Sequence, residues 1–254
     1  MCIRDRSTAI DLGTGRTAVA VSAVNQHTCA ILDNGEAKCW GKNQNGQLGD
    51  GGSNTDQGSP VSVSGSNTWD TTITPSSGSS SSSSFVYANS KLATASGHTC
   101  AILDNGNLKC WGADNYGQLG DGENTNEFSP VSVDLPYGRT AVAVEAGEKH
   151  TCAILDTGSL MCWGRDHRGQ LGNGLGYSDE NTPDYVELPT GRTAVSISSG
   201  KEHSCAILDN RSVMCWGLGS SCLLYTSPSP RDVEESRLAW WWLKKKGGGG
   251  GGGG

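Results

Sequence analysis

The sequence predicts an all-β protein in which one small sheet is repeated along the chain. A segment of the form HTCAILDNG…KCWG occurs four times, beginning at His27, His98, His150 and His203. Short runs of β-branched residues (TAVAV, TCAIL) alternate with Gly, Asn and Asp turns, and helical periodicity is absent. The composition agrees, because 37 glycines and only 35% hydrophobic residues are typical of a turn-rich chain.

The spacing of the repeats is regular except at one place. The four histidines are separated by 71, 52 and 53 residues, and a second shared segment, GRTAV, precedes three of them. The longer first interval contains a Ser-rich stretch at residues 65–85. Because such a polar, low-complexity stretch cannot form a core, we expect a disordered surface loop there.

The two cysteines of each repeat are ten residues apart, which suggests a cross-strand pair. A three-residue Asp-Asn-Gly turn at residues 33–35 places Cys29 directly opposite Cys39. Opposed residues of this kind have Cα atoms ~4.5 Å apart, within reach of a disulfide. A two-residue Asn-Gly turn would instead place Cys29 opposite Trp40.

The favoured interpretation is therefore four disulfides. The pairs are Cys29–Cys39, Cys100–Cys110, Cys152–Cys162 and Cys205–Cys215. Reduced core thiols are one alternative, and zinc is another, although structural zinc sites usually place only two to four residues between ligands. Disulfides predict an oxidising location, so we expect a secreted, periplasmic or cell-surface protein.

A tryptophan follows the second cysteine of every repeat and therefore points to the opposite face of its strand. These residues are Trp40, Trp111, Trp163 and Trp216. Both faces of the hairpin then carry residues for burial, which is expected when sheets stack face to face around an axis. The repeated tryptophans are predicted to be core residues.

Together these motifs resemble the regulator of chromosome condensation repeat, in the cysteine-bearing bacterial form described as alpha-tubulin suppressor-like. The resemblance implies a β-propeller, and four repeats imply an incomplete, open arc of about four blades. It also implies structural roles for His27, His98, His150 and His203 and for the Gly-Gln-Leu-Gly turns at 46–49, 117–120 and 169–172. One departure is Arg211, which occupies the position of the turn glycine.

The two ends of the chain do not follow the repeat. The reverse complement of DNA encoding CLLYTS, found at residues 222–227, encodes MCIRD, found at residues 1–5. We therefore expect residues 1–6 and 222–254 to derive from sequencing-adapter DNA, the latter with a disordered homopolymer tail, and residues 7–221 to form the propeller repeats. The alternative is a natural Trp/Lys anchor at residues 240–246, suited to a membrane interface.

Charge and hydropathy limit the partners. The formal net charge is -7, so a nucleic-acid partner is not expected, since binding to a phosphate backbone depends on basic residues. The sequence has no run of 18 apolar residues, so no membrane span is expected either.

The resemblance implies a non-catalytic binding or scaffold propeller, with a protein or surface polymer as its partner. No catalytic arrangement recurs outside the repeat pattern, so neither an enzyme nor a cofactor or metal is expected. One alternative is a regulator of a small GTPase that acts as a guanine-nucleotide exchange factor. Another is a propeller that binds carbohydrate or uses calcium, for which the segment GDGENTNE at 120–127 offers oxygen ligands.

Specificity in repeat arrays lies in the residues that vary between repeats. Here these are the loops after CWG, with the sequences KNQN, ADNY and RDHR. The chemically distinctive members, which we predict to bind the partner, are Lys42, Tyr116, Asp166, His167 and Arg168.

Overall fold

A computed structural model describes residues 10–52, 54–71, 90–175 and 177–218 of the chain. Residues 1–6 and 222–254, which we interpret as adapter-derived, lie outside the described residues. Residues 72–85 of the predicted Ser-rich loop also lie outside them. The described residues form fifteen strands and no helix. Accordingly, no helix suited to crossing a membrane is found among them.

The strands form four separate antiparallel sheets, which we call blades I to IV. Blade I contains β1 (Ala18–Val24), β2 (His27–Leu32), β3 (Ala37–Gly41) and β4 (Gln57–Ser62). Blade II contains β5 (Leu92–Thr94), β6 (His98–Ile102), β7 (Leu108–Gly112) and β8 (Glu127–Ser132). Blade III contains β9 (Ala141–Ala146), β10 (His150–Leu155), β11 (Leu160–Gly164) and β12 (Glu180–Tyr185). Blade IV contains β13 (Ala194–Ser199), β14 (His203–Leu208) and β15 (Val213–Gly217).

The blades stack face to face around an axis. Their first strands, β1, β5, β9 and β13, lie next to one another in that order, so they line the axis, and the later strands of each blade lie further out. The four sheets do not close into a ring. The predicted fold, an all-β open arc of four propeller blades, is confirmed.

The predicted hairpin register is also confirmed. Cys29 lies opposite Cys39 and Thr28 opposite Trp40, because the turn at residues 33–35 places Gly35 in the left-handed region with a φ of 79°. The disulfide between these cysteines joins Cα atoms 4.1 Å apart. The corresponding disulfides form in the other three blades, as Cys100–Cys110, Cys152–Cys162 and Cys205–Cys215.

The hydrophobic core lies between neighbouring blades rather than inside one sheet. The cysteine-bearing face of blade II, with Ile102 and Leu108, packs against the opposite face of blade III, with Leu155 and Trp163. The same arrangement recurs between blades I and II and between blades III and IV. Each blade therefore needs a neighbour to bury its apolar faces, as in other repeat proteins.

The start of the Ser-rich stretch belongs to the repeat. Trp69 is 2% exposed and packs against Trp111, with ring centroids 5.5 Å apart. Its amide donates to the Gly35 carbonyl, as the amide of Ala141 does to Gly106 in the next blade. The expectation of a disordered loop is therefore wrong for the described part of the stretch, since Trp69 forms a β-bridge with Leu103, just as Ala141 at the start of β9 pairs with Leu155 in blade III.

Candidate functional site

The loops that follow the third strand of blades I, II and III are fixed by hydrogen bonds to the next blade. The Gln118 carbonyl of blade II accepts two hydrogen bonds from blade III, from the Thr151 hydroxyl at 2.8 Å and from the Trp163 indole at 3.0 Å. Gln47 and Gln170 do the same toward their following blades. The Gly-Gln-Leu-Gly turn is thus a connector between blades.

The repeat histidines take part in the same network. His98 Nε2 lies 2.8 Å from Thr151 Oγ1. Because the threonine donates its one hydroxyl proton to Gln118, the hydroxyl must accept from His98, which fixes the neutral tautomer with the proton on Nε2. His27 and His150 make the same contact with Thr99 and Ser204.

Burial keeps these histidines uncharged. The pKa of His98 is lowered from 6.5 to about 3 by burial and by the neighbouring rings of His150 and His27. Burial also lowers the pKa of His27 and of His150 to about 4, in the latter case with a contribution from His203. A buried, neutral ring already engaged by a hydroxyl is unavailable to a ligand.

A second buried polar residue shapes each loop from within. Asp114 Oδ1 accepts the Leu119 amide at 2.8 Å, and Asp166 Oδ1 accepts the Leu171 amide at 2.8 Å. Burial raises the pKa of Asp114 to about 7, with further contributions from Asp121 and Glu127, against the lowering effect of the Leu119 amide. Burial likewise raises the pKa of Asp166 to about 6. In blade I the position is held by Asn43.

The outer surface of these loops forms a cleft across blades I, II and III. We call the end of the blades that carries loops 42–56, 113–126 and 165–179 the loop face, and the opposite end, with turns 33–36, 104–107, 156–159 and 209–212, the hairpin edge. The cleft has a volume of about 630 Å³. Its lining includes Lys42 of blade I, Tyr116 of blade II and Lys149 of blade III.

Tyr116 lies at the centre of a cationic cluster. The Lys149 ammonium is 5.0 Å from the ring centroid and the Arg165 guanidinium is 4.8 Å from it, so both make cation–π contacts. The Arg165 amide donates to the Lys149 carbonyl at 2.9 Å, so both cations extend from neighbouring backbone positions in blade III. The cluster therefore spans the boundary between blades II and III.

The predicted partner-binding residues have different surroundings. Lys42 and Tyr116 line the cleft, whereas Arg168 is exposed in the loop at 165–179 and is not among the lining residues. His167 Nε2 lies 3.1 Å from the Glu202 carboxylate. Asp166 is 1% exposed and caps its own turn, so its predicted place in a partner-binding surface is corrected to a place inside the loop.

Two residues of the cluster, Lys149 and Arg165, were not predicted from the sequence. Lys149 lies in the three-residue connection between β9 and β10, directly before the repeat histidine, a position that differs in all four repeats. Arg165 comes directly after CWG, and the sequence does not show that its side chain reaches Tyr116. Among the described residues, no group of His, Cys, Asp and Glu is arranged to hold a metal ion, the segment at 120–127 included.

The geometry defines the chain as a repeat propeller with a polar cleft on its loop face, and comparison with known proteins names the class. Two families, both described as the regulator of chromosome condensation (RCC1) repeat, match: one at residues 105–154 and 157–207, the other at 18–47, 91–118, 141–170 and 194–222. The chain belongs to the RCC1 repeat family.

The match to curated relatives covers only part of the length of each relative. The chain is 29% identical to the ultraviolet-B receptor UVR8 of Arabidopsis thaliana over 198 residues, which is 78% of this chain and 40% of the receptor. It is 33% identical to the human E3 ubiquitin-protein ligase HERC2 over 130 residues, 50% of this chain and 3% of the ligase. The chain thus spans less than half the length of either relative.

Solved structures support the fold. The crystal structure of Prp20p from Saccharomyces cerevisiae, described with its binding properties to Gsp1p and histones, matches with a TM-score of 0.64 at 20% identity. That match covers 81% of this chain and 44% of Prp20p. Human WBSCR16 matches with a TM-score of 0.60 at 22% identity over 78% of this chain and 46% of its own.

Proposed function

We propose that this chain is a non-catalytic binding propeller that works in an oxidising compartment and engages a protein partner through its loop face. The observation that carries the proposal is the cluster of Lys149, Arg165 and Tyr116 at the cleft. Arginine and aromatic residues are enriched where proteins bind proteins, and lysine–aromatic contacts hold the cations in place.

The repeated polar residues have structural partners, which supports a binding rather than a catalytic role. His98, Thr151 and Gln118 form one buried network between blades, and its counterparts lie at the other two boundaries. The loop face, by contrast, carries residues that differ between repeats, in the sequences KNQN, ADNY and RDHR. Specificity in repeat proteins is generally carried by such variable positions.

Four disulfides support an oxidising location, which is secreted, periplasmic or at the cell surface. This location disfavours the exchange-factor alternative, because small GTPases act in the reducing cytosol and nucleus. Thiol alkylation of the chain purified from its source, followed by mass spectrometry, checks the point. Intact cystines at all four pairs are expected, and free thiols at any pair would favour a cytosolic role.

Site-specific photo-crosslinking tests the proposed surface. A crosslinking residue replaces Tyr116 in one sample and the exposed Asn34 of the hairpin edge in the matched control, and both are exposed to bacterial envelope proteins. We expect a defined protein adduct from position 116 that is absent from position 34, and rebinding of that protein once it is purified. Equal adducts from the two positions, or none from position 116, would contradict the proposal.

A further inference from the structure

The cations on the two ends of the blades differ in their partners. At the hairpin edge, arginines pair with aspartates of the same blade, as Arg139 does with Asp156 at 3.4 Å and Arg192 with Asp209 at 3.4 Å. The loop face carries four cations that take part in none of the ion pairs found among the described residues: Lys42, Lys149, Arg165 and Arg168. Among the described residues, these four loop-face cations therefore have no carboxylate within ion-pair distance.

Two of these four cations face the cleft, and a third, Arg165, contacts the cleft residue Tyr116. Lys42 lines the cleft from blade I and Lys149 from blade III, with Tyr116 between them. The carboxylate among the lining residues is Glu148, and it lies 3.5 Å from the Lys201 ammonium. The cleft is thus a positive depression in a chain whose formal net charge is -7.

The remaining lining favours a peptide. Side-chain amides that both donate and accept hydrogen bonds border the cleft; they belong to Asn25, Gln26, Asn45 and Asn115. Such groups suit the alternating N–H and C=O groups of a polypeptide. They supplement the cations, which suit carboxylates.

The surroundings limit the length of an anionic ligand. The loops leading to the outermost strands, and the first residues of β8 and β12, carry carboxylates around the loop face: Asp50, Asp56, Asp121, Glu123, Glu127, Asp179 and Glu180. A long polyanion such as a nucleic acid would extend from the cleft over these like charges, and repulsion between like charges opposes that binding. A short segment can stay within the cleft.

From these observations we infer that the cleft binds a short acidic peptide segment of the partner, with its carboxylates on Lys42, Lys149 and Arg165. The inference rests on the proposed binding function and adds the chemistry of the partner. Tyr116 positions two of these cations through its ring faces, since both lie within about 6 Å of the centroid.

The test uses the full chain and a fluorescein-labelled short peptide rich in Asp and Glu, with fluorescence anisotropy as the readout. The probes for comparison are the same peptide with Asn and Gln, a single-stranded oligonucleotide and a sulfated oligosaccharide. The variants are Lys149→Gln and Arg165→Gln, and the matched control is Arg139→Gln, which removes one positive charge at the hairpin edge. Circular dichroism checks that each variant is folded.

We expect salt-sensitive binding of the acidic peptide that weakens roughly fivefold in each loop-face variant, since an exposed ion pair contributes up to about 1 kcal/mol. Arg139→Gln should change the affinity less than about twofold, because its charge lies outside the cleft. Equal weakening in all three variants, equal binding of the amide peptide, or tighter binding of the oligonucleotide or oligosaccharide would overturn the inference. Failure of every acidic peptide, while position 116 still crosslinks a protein, would overturn the acidic chemistry alone and leave the loop-face function standing.

Discussion

His98 and Thr151 are joined across the boundary between blades II and III by a hydrogen bond of 2.8 Å between Nε2 and Oγ1. The same hydroxyl donates to the Gln118 carbonyl, so one buried threonine connects a strand and a loop of blade II to blade III. Because apolar contacts between blades are not directional, this network helps to fix how neighbouring blades align. The repeated His, Thr (or Ser) and Gln residues therefore join one blade to the next.

Replacing the threonine tests this role. Thr151→Val leaves the His98 N–H without its buried acceptor and removes one of the two hydrogen bonds to the Gln118 carbonyl, which should lower the free energy of unfolding by ~1–3 kcal/mol. Urea denaturation followed by tryptophan fluorescence measures it. The control is Thr190→Val, an exposed residue between β12 and β13, which should change stability by less than about 0.5 kcal/mol. Equal effects of both variants would contradict the role.

The last position of the Gly-Gln-Leu-Gly turn is predicted to require glycine, because the tryptophan ring of the next blade leaves no room for a Cβ there. A Cβ at Gly120 would lie 2.9 Å from Trp163 Cδ1, whereas a Cβ at Gly138 would have nothing within 4 Å, and both have a φ of +74°. Gly138→Ala should therefore cost only the left-handed backbone penalty of ~1–2 kcal/mol. Gly120→Ala should cost ~1–3 kcal/mol more because of overpacking, as measured by urea denaturation. Equal losses would show that the contact with Trp163 is unimportant.

The buried carboxyl of Asp114 should make stability depend on pH. Its pKa is raised from 3.8 to about 7 in the folded state, so its protonated form favours folding at low pH, and this contribution is lost as the pH rises through 7. Asp114→Asn should therefore be more stable than the parent at about pH 8, by more than about 1 kcal/mol, and the advantage should shrink as the pH falls.

The chain supplies its own comparison for this prediction. Asn43 holds the equivalent place in blade I, where its Nδ2 lies 3.4 Å from Asp50. Asp166→Asn should show the same pH dependence, but the gain should be smaller and level off at lower pH, because the pKa of Asp166 is raised only to about 6. Unfolding by urea between about pH 5 and pH 8 measures both variants. A stability difference that does not change over that range would contradict the assignment.

The fourth repeat contains a strained turn that can be relieved. Arg211 has a φ of 70°, where the other three repeats have glycine. Arg211→Gly should raise the free energy of unfolding by ~1 kcal/mol, because glycine adopts this conformation without a Cβ clash. Arg211→Ala should give no such gain, since it keeps the Cβ. Thermal unfolding of the two variants distinguishes backbone strain from an effect of the guanidinium group.

Much of the fold could be predicted because the same local sequence pattern occurs in every repeat. The identical spacing of Cys29 and Cys39 and of Cys100 and Cys110, with the same turn between them, fixes the register of each hairpin. The first strand of blade II was harder to recognise, since the Ser-rich segment interrupts it after Trp69. The available signal in the sequence was the alignment of Thr68 with Thr140. In the structure the backbone carbonyl of each threonine accepts the amide of a turn aspartate.

The candidate site was less predictable, because it depends on which side chains meet across a blade boundary. Variability between repeats pointed to Lys42 and Tyr116, but Lys149 and Arg165 join them only when blades II and III are stacked. Variability also pointed to Asp166, whose side chain turns inward to accept the Leu171 amide. The recurrence of Asp or Asn four residues before Gln-Leu could have indicated that role.

A map of amide chemical shifts in the isotope-labelled full chain, recorded during titration with the acidic peptide, locates the binding surface residue by residue. We expect saturable shifts confined to the loop face, around residues 42–45, 113–118, 147–149 and 165–168. Amides beside Arg139 and Arg192 at the hairpin edge should not move. Shifts centred on the hairpin edge, or no shifts anywhere, would contradict the claim that the cleft around Tyr116 is where this propeller binds its partner.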